Sequence, residues 1–305
     1  MYKQFLGVLL ATLWLASGAV FAEEEARLKP FVMGAKVSGS LNDAVSKTRK
    51  KLTAGGFEVV GEAKPYAETV ILVVTNDALK KNAAQSTKGG FGAAQRVTLT
   101  KVGDEIQLAY TNPTYMSHAY RMKSDLADVR AALAKAIGDQ GEYGSEKGLT
   151  VKKLRKYHYK FLMPYFDEPI NLKEHASYDA AVKAVEAALA KNAGGATKVY
   201  RIDIPGKNET VFGVQLSSAA EECAGDQYIM ERVDFKPVKS VGHLPYEILV
   251  SEGTVFSLPA EFRIAISFPD LSMMGSNSFA SIMCAPSSLE AALTLAAGGK
   301  LGDDF

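Results

Sequence analysis

Cysteine is nearly absent: Cys223 and Cys284 are the only two in 305 residues. That excludes a disulfide-dense miniprotein and any zinc site built on paired Cys-x-x-Cys motifs. No Cys-x-x-Cys-His occurs, which excludes covalently attached c-type haem. Neither sign of charge prevails: 35 Lys and Arg stand against 34 Asp and Glu. A nucleic-acid binder working by bulk charge is therefore excluded. The four histidines, His118, His158, His175 and His243, are scattered. Neither H-E-x-x-H nor G-x-S-x-G is present. An enzyme is not thereby excluded, because carboxylate pairs converge only in three dimensions. Gly89-Gly90-Phe91-Gly92 is only half a phosphate loop: Gln95 replaces the third glycine, and no Lys-Ser/Thr follows. It reads as a turn. After the first two dozen residues, no run is apolar and long enough to span a bilayer.

What the chain does have begins at its start. Residues 1–22 read as a secretory signal: Lys3, an uncharged apolar run from Phe5 to Phe21, then small residues ending at Ala22. The alternative is an uncleaved anchor, for which that run is short against a bilayer core of about 30 Å. No cysteine follows, so lipoprotein anchoring has no support. The expected product is exported, to a bacterial periplasm or the medium, with no integral membrane span once the signal is cleaved. In such a compartment, Cys223 and Cys284 are either one disulfide closing a long loop or two buried thiols.

A second pattern is internal. Ser40-Leu41-Asn42-Asp43-Ala44-Val45 opens a helical segment that stops at Gly55-Gly56. Ser177-Tyr178-Asp179-Ala180-Ala181-Val182 opens another, which stops at Gly194-Gly195. In both, serine stands where an N-cap belongs and glycine where a C-cap belongs. Glu68-Thr69-Val70 and Glu209-Thr210-Val211 then each open an apolar strand. Arg96 to Thr100 and Glu105 to Thr111 form a hairpin around Gly103-Asp104. Tyr246 to Val250 and Glu261 to Ser267 are the expected counterpart strands. Pro113 and Pro269 follow, and closing helices lie at Leu126 to Ile137 and Leu289 to Ala296. The growing offset places insertions between Leu216 and Tyr246 and around Met273 to Cys284. The expected fold class is α+β: two tandem copies of a small sheet-plus-helices sandwich unit, related by a pseudo-twofold. The boundaries are 23–140 for the first unit, 141–172 for a linker carrying the second unit's first strand, and 173–305 for the second.

The segment from Arg96 to Met122, with Asn112-Pro113-Thr114-Tyr115 closing its hairpin, resembles the domain-of-unknown-function 302 family. The helix Asn42 to Leu52 running into Gly55-Gly56-Phe57 fits that family's opening. The likeness covers about residues 31–138. In the second copy Phe268-Pro269 and Leu271 stand in for Asn112-Pro113 and Tyr115. The resemblance implies a small α+β domain that tends to pair, and no agreed activity.

Several constellations remain. Arg96, Asn112, Tyr115 and Tyr120 cluster at a strand end, where the tyrosines are either core residues or the rim of a ligand pocket. Turn chemistry alone accounts for Asn112-Pro113. Met116, His118 and Met122 follow, with His118 and Met122 on one helical face. Thioether plus imidazole suits copper(I) or haem iron, with Met273, Met274, Met283 and Cys284 in the matching region of the second copy. The plainer reading is methionine as core filler. Lys152 to Phe161 is basic with Tyr157, Tyr159 and Phe161 alternating. It fits a strand with lysine-protected edges better than a lipid or nucleic-acid surface. The function expected is a non-enzymatic exported binding module without cofactor, with copper or haem handling as the alternative. The expected partner is a small ligand or another exported protein, with homodimer pairing left open and no nucleic acid.

Overall fold

The computed structural model describes residues 25–160 and 163–302, and the fold is α+β. The expected leader lies outside the described residues, as does Phe161.

In the first half, the strands are β1 (Arg27–Leu28), β2 (Phe31–Met33), β3 (Glu58–Ala63), β4 (Thr69–Thr75), β5 (Gln95–Val102), β6 (Glu105–Thr111) and β7 (Glu142–Tyr143). The helices are α1 (Leu41–Ala54), α2 (Asp77–Gln85), α3 (Pro113–Ala119) and α4 (Ala127–Ile137). Helix α1 starts where Ser40 Oγ accepts the Asp43 N–H at 3.1 Å. It buries Ala44, Thr48 and Leu52, one stripe at helical spacing. It ends before Gly56, whose φ of 84° is open to glycine at little cost. The strands form an antiparallel sheet in the order β3-β4-β5-β6-β2-β7. Every residue of β4, Thr-Val-Ile-Leu-Val-Val-Thr, is buried. Val70, Leu72 and Val74 pack with Leu52 of α1 and Leu133 of α4, while Ile71 and Val73 belong to the larger core shared with the second half. The strand is thus covered on both faces.

After β8 (Leu149–Thr150) and α5 (Val151–Arg155) come β9 (Ile170–Glu174), α6 (Tyr178–Leu189), β10 (Ala196–Asp203), β11 (Glu209–Leu216), α7 (Asp226–Val233), β12 (Tyr246–Ser251), β13 (Thr254–Ser257), α8 (Ala260–Ser267) and α9 (Ala285–Ala296). Ser177 Oγ caps α6 by accepting the Ala180 N–H at 3.2 Å. The second sheet runs β10-β11-β12-β13-β9. Matched by place in the chain, this is the order β3-β4-β5-β6-β2 of the first sheet.

The two edge strands β3 and β10 lie side by side. Each carries a bulge, between Val59 and Gly61 in one and between Lys198 and Tyr200 in the other. A Cβ on Gly61 would stand 2.5 Å from the Val199 carbonyl oxygen, so only glycine fits there. The 3-10 turn Gly89–Gly92 rests on β11 and β12, and the turn Val241–His243 rests on β5 and β6. Each half thus covers central strands of the other with a 3-10 turn.

Three local expectations are corrected. Glu261 to Ser267 is helix α8, and the strand pairing with β12 is β13. Phe262, Ile264 and Ile266 alternate as a strand would, yet α8 is buried on nearly every side and shows no polar face to reveal its period. Pro259 therefore precedes α8 as Pro113 opens α3, and Pro269 lies beyond. In the basic segment Lys152 to Arg155 lie in α5, capped by Thr150 Oγ1, and Tyr157 and Tyr159 follow outside any strand. Of the segment 141–172, expected as a linker carrying the second unit's first strand, β7 and β8 pair with β2 and β1 of the first half, and β9 opens at Ile170 in the second sheet. The stretch Phe279–Ala296 has the length and hydropathy of a membrane span, but half of it is buried inside the protein. Cys223 and Cys284 form a disulfide, with Cα atoms 5.9 Å apart and 61 residues of sequence separation. It joins the turn before α7 to the start of α9.

Candidate functional site

The four candidate ligand residues all lie inside. Arg96 on β5, Asn112 at the end of β6, Tyr115 in α3 and Tyr120 just after it are each at most 1% exposed. Arg96 forms an ion pair with Glu247 of β12. Arg263 of α8 places Nε 3.2 Å from the other Glu247 oxygen. Arg263 also donates to the Tyr120 hydroxyl at 2.7 Å and to the His243 carbonyl at 2.6 Å. Tyr115 donates to the Ile266 carbonyl at 2.9 Å. Asn112 donates to the Lys29 carbonyl at 2.9 Å, away from this network. None of the four lines the cleft or the groove described below. Arg96 and Tyr120 instead join a buried polar seam between the halves.

Arg96 and Glu247 are the second residues of the corresponding strands β5 and β12. They meet across the contact between the halves and carry opposite charge. His243 sits beside them, with Nδ1 3.0 Å from Ser267 Oγ and Nε2 2.9 Å from the Tyr246 hydroxyl. Burial and the two guanidiniums hold its pKa well below the usual histidine range, so the ring is neutral. A hydroxyl, an imidazole and a phenol are thus aligned, but no substrate reaches them, because His243 and Ser267 are fully buried.

The soft ligands are dispersed. Met116 and Met122 fill the larger core. Met122 lies so close to Gly92 that a Cβ there would stand 2.7 Å from its sulfur. His118 keeps its pKa below the usual value through burial and the nearby Arg155. Met274 and Met283 are exposed, and Cys284 has given its sulfur to the disulfide, so no thiolate is available there. Among the described residues, no three His, Cys, Asp or Glu side chains stand close enough to hold a metal ion.

The concave site lies elsewhere on the seam. A cleft of about 360 Å³ opens between the segment after β7, the segment after α7 and the segment after α8. This is within the ordinary size range of small-molecule sites. Tyr143, Val233, Phe268 and Leu271 form its apolar walls, and Phe235 and Val238 stand at its edge. These last two are 47% and 40% exposed.

Several bonds fix the walls. The Tyr143 hydroxyl donates to the Lys239 carbonyl at 2.8 Å. Ser145 Oγ and the Glu146 N–H both donate to the Asp270 carboxylate, at 3.2 and 2.6 Å. Gly144 turns the chain with φ of 96°, its backbone pressed against Pro30 and Phe31. Burial raises Asp234 to about 6, although the Ser240 N–H on its carboxylate and Lys239 nearby pull it down. Burial raises the Tyr143 phenol as well, helped by Asp234.

A larger groove of about 780 Å³ carries Glu168, Glu261 and Glu290. Burial and the neighbouring Glu261 raise Glu290 above the usual carboxylate range. That groove does not involve the first sheet.

Sequence reasoning did not assemble the seam cleft, but it touched two of its parts: the insertion between Leu216 and Tyr246, which contributes Val233 to Ser240, and Phe268 and Leu271, the second-half counterparts of Asn112 and Tyr115. No family model matches the chain, and no curated protein or solved structure matches it.

Proposed function

We propose that this chain is an exported, non-enzymatic binding protein, built from two α+β units of common descent, that holds a small, largely apolar molecule in the seam cleft. The single observation that carries the reading is the cleft itself: a cavity of about 360 Å³ with aromatic and aliphatic walls, edged by the exposed Phe235 and Val238. Sites of this kind favour interfaces between units. The duplication is supported by the shared strand order, the matched bulges of β3 and β10 and the reciprocal turns. Export is supported by the pattern of residues 1–22 and by the disulfide, which suits an oxidising compartment. The resemblance to the domain-of-unknown-function 302 family agrees with paired units of this size.

The test uses the full chain expressed with its own leader in a bacterium. Periplasmic recovery and a new N-terminus near Glu23 are expected. The purified protein is then titrated with Nile red, a neutral apolar dye. Saturable one-to-one binding is expected, and Phe235→Ala with Val238→Ser weakens it at least about tenfold, since each buried apolar side chain contributes about 1.5–3 kcal/mol. Cytosolic retention sinks the export claim. Absent or unsaturable dye binding, or binding indifferent to both substitutions, sinks the cleft as the seat.

A further inference from the structure

We propose that residues 234–240 are a hinged strap over the seam cleft, latched end to end by the Asp234 carboxylate, whose closure tightens as the surroundings acidify. Its role as a gate rests on reading the cleft as a ligand seat; its motion does not.

The strap leaves α7 after Val233 and re-enters the protein at Val241, and both of these are buried. Between them Phe235, Lys236, Pro237 and Val238 are exposed, so the strap adds almost nothing to the core. Its ends are joined by its own groups. Both Asp234 carboxylate oxygens accept the Ser240 N–H, at 2.9 and 3.0 Å. Lys239 Nζ donates to the Asp234 carbonyl at 2.7 Å. Three bonds tie its far half to the first unit. Gln107 Nε2 donates to the Pro237 carbonyl at 2.9 Å, Gln107 Oε1 accepts the Lys239 N–H at 2.9 Å, and the Tyr143 hydroxyl donates to the Lys239 carbonyl at 2.8 Å. A compact loop closed by its own side chains, with exposed residues and few tethers, opens at far lower cost than the sheets beneath it. Opening uncovers the cleft, because Asp234, Phe235, Pro237, Val238 and Ser240 all line it.

The latch is a buried carboxylate. Around it stand Lys239 on the strap, Tyr66 from the turn before β4 and Tyr143 on β7, with Glu231 of α7 lining the same concavity. Across the cleft lie Lys29, Glu142 and Asp270. Closed, burial holds Asp234 at about 6; opened to water, it returns toward its ordinary value of 3.8. The closed strap therefore binds the proton more tightly. Closure is strongest below the open-state value and weakens as pH rises through about 6. Between pH 7.5 and 5 the closed-to-open ratio grows about tenfold.

Hydrogen–deuterium exchange on the full, disulfide-intact chain reads this without any ligand. Rates for peptides covering residues 234–240 are corrected for intrinsic exchange and referenced to residues 69–75 of β4. In the wild type, protection of the strap rises about tenfold from pH 7.5 to pH 5. In Asp234→Asn that rise disappears. Gln107→Ala lowers protection at both pH values and keeps the rise. Strap protection that is flat with pH in the wild type, or a rise preserved in Asp234→Asn, overturns the latch. Unchanged exchange in Gln107→Ala overturns the tether. Nile red release is expected to slow at pH 5 in the wild type alone. If no dye binds, the ligand seat fails while exchange still decides the strap.

Discussion

Replacing Glu247 with glutamine probes the seam at its centre. The Glu247 side chain is 1% exposed, and those of Arg96 and Arg263 are each 2% exposed. Among the described residues, Glu247 is the only carboxylate within salt-bridge distance of either arginine. The variant leaves two guanidiniums buried together without a counter-charge. Breaking a buried pair in this way costs about 3–5 kcal/mol, because the remaining charge stays desolvated. Arg96→Met is the informative companion. It removes one arm and leaves Glu247 with Arg263, so its cost is smaller, roughly 1–3 kcal/mol. The order of the two losses thus tests the geometry as well as the burial. Urea is the denaturant of choice, being uncharged, and equal m values establish that stability alone has changed. A loss below about 1 kcal/mol for Glu247→Gln refutes the reasoning. So does a larger loss for Arg96→Met than for Glu247→Gln.

Two further outcomes follow from buried or cross-linked groups in the second unit. Cys223→Ser with Cys284→Ser opens a loop of 61 residues' separation and is expected to lower stability by about 4 kcal/mol on the chain-entropy account, read as a lower urea midpoint. Asp226 is fully buried: one carboxylate oxygen accepts the Leu216 N–H at 3.0 Å, and burial raises its pKa to about 8. Its folded pKa lies above the unfolded value, so its contribution to stability is complete below about pH 4 and is lost as pH rises through 8. Wild-type stability should therefore fall between pH 5 and pH 8, by an amount on the order of 3 kcal/mol, and Asp226→Asn should remove most of that slope. Parallel urea curves at the two pH values check it.

Local signals carried much of the fold. Ser40 and Ser177 are N-caps in the structure, because a serine ahead of an amphipathic stripe satisfies an orphan N–H whatever the tertiary context. The β5–β6 hairpin follows from alternation around Gly103-Asp104. The failures share a physical cause. Helix α8 is enclosed, so its polar residues face partners instead of solvent, and Arg263 and Ser267 break the periodicity for the sake of the seam network. In Lys152 to Phe161, alternating aromatics suggested a strand. The hydroxyls of Tyr157 and Tyr159 instead donate to carbonyls of Ala265 and Leu271, contacts more than a hundred residues away in sequence. Tyr115 and Tyr120 were legible as core residues or a pocket rim, and they lie in the core; the burial of Arg96 and Asn112 was not legible, since a polar side chain carries no mark of the partner that desolvates it. The strap and cleft were the least legible, because no single residue in Val233 to Ser240 has a composition that distinguishes a lid from a loop.

This contrast bears on where function resides in a paired fold. At the centre of the contact between the halves Arg96 and Glu247 meet as a buried pair of opposite charge, so a change on either side leaves the other uncompensated. Such a seam resists becoming a site. An insertion in one unit escapes the constraint. In the first unit, α2 and the Gly89–Gly92 turn fill the stretch between β4 and β5. In the second, α7 and the Val241–His243 turn occupy the same places, and the longer stretch adds residues 217–225 and the strap that reaches back to Gln107 and Tyr143. The strap, residues 234–240, is longer than the corresponding stretch 86–88 between α2 and the Gly89–Gly92 turn, so on the proposed reading one chain is expected to offer one seat. If the dye titration instead reports two equivalent sites, the asymmetry of the insertion is not what makes the seat, and the strap loses its role as gate.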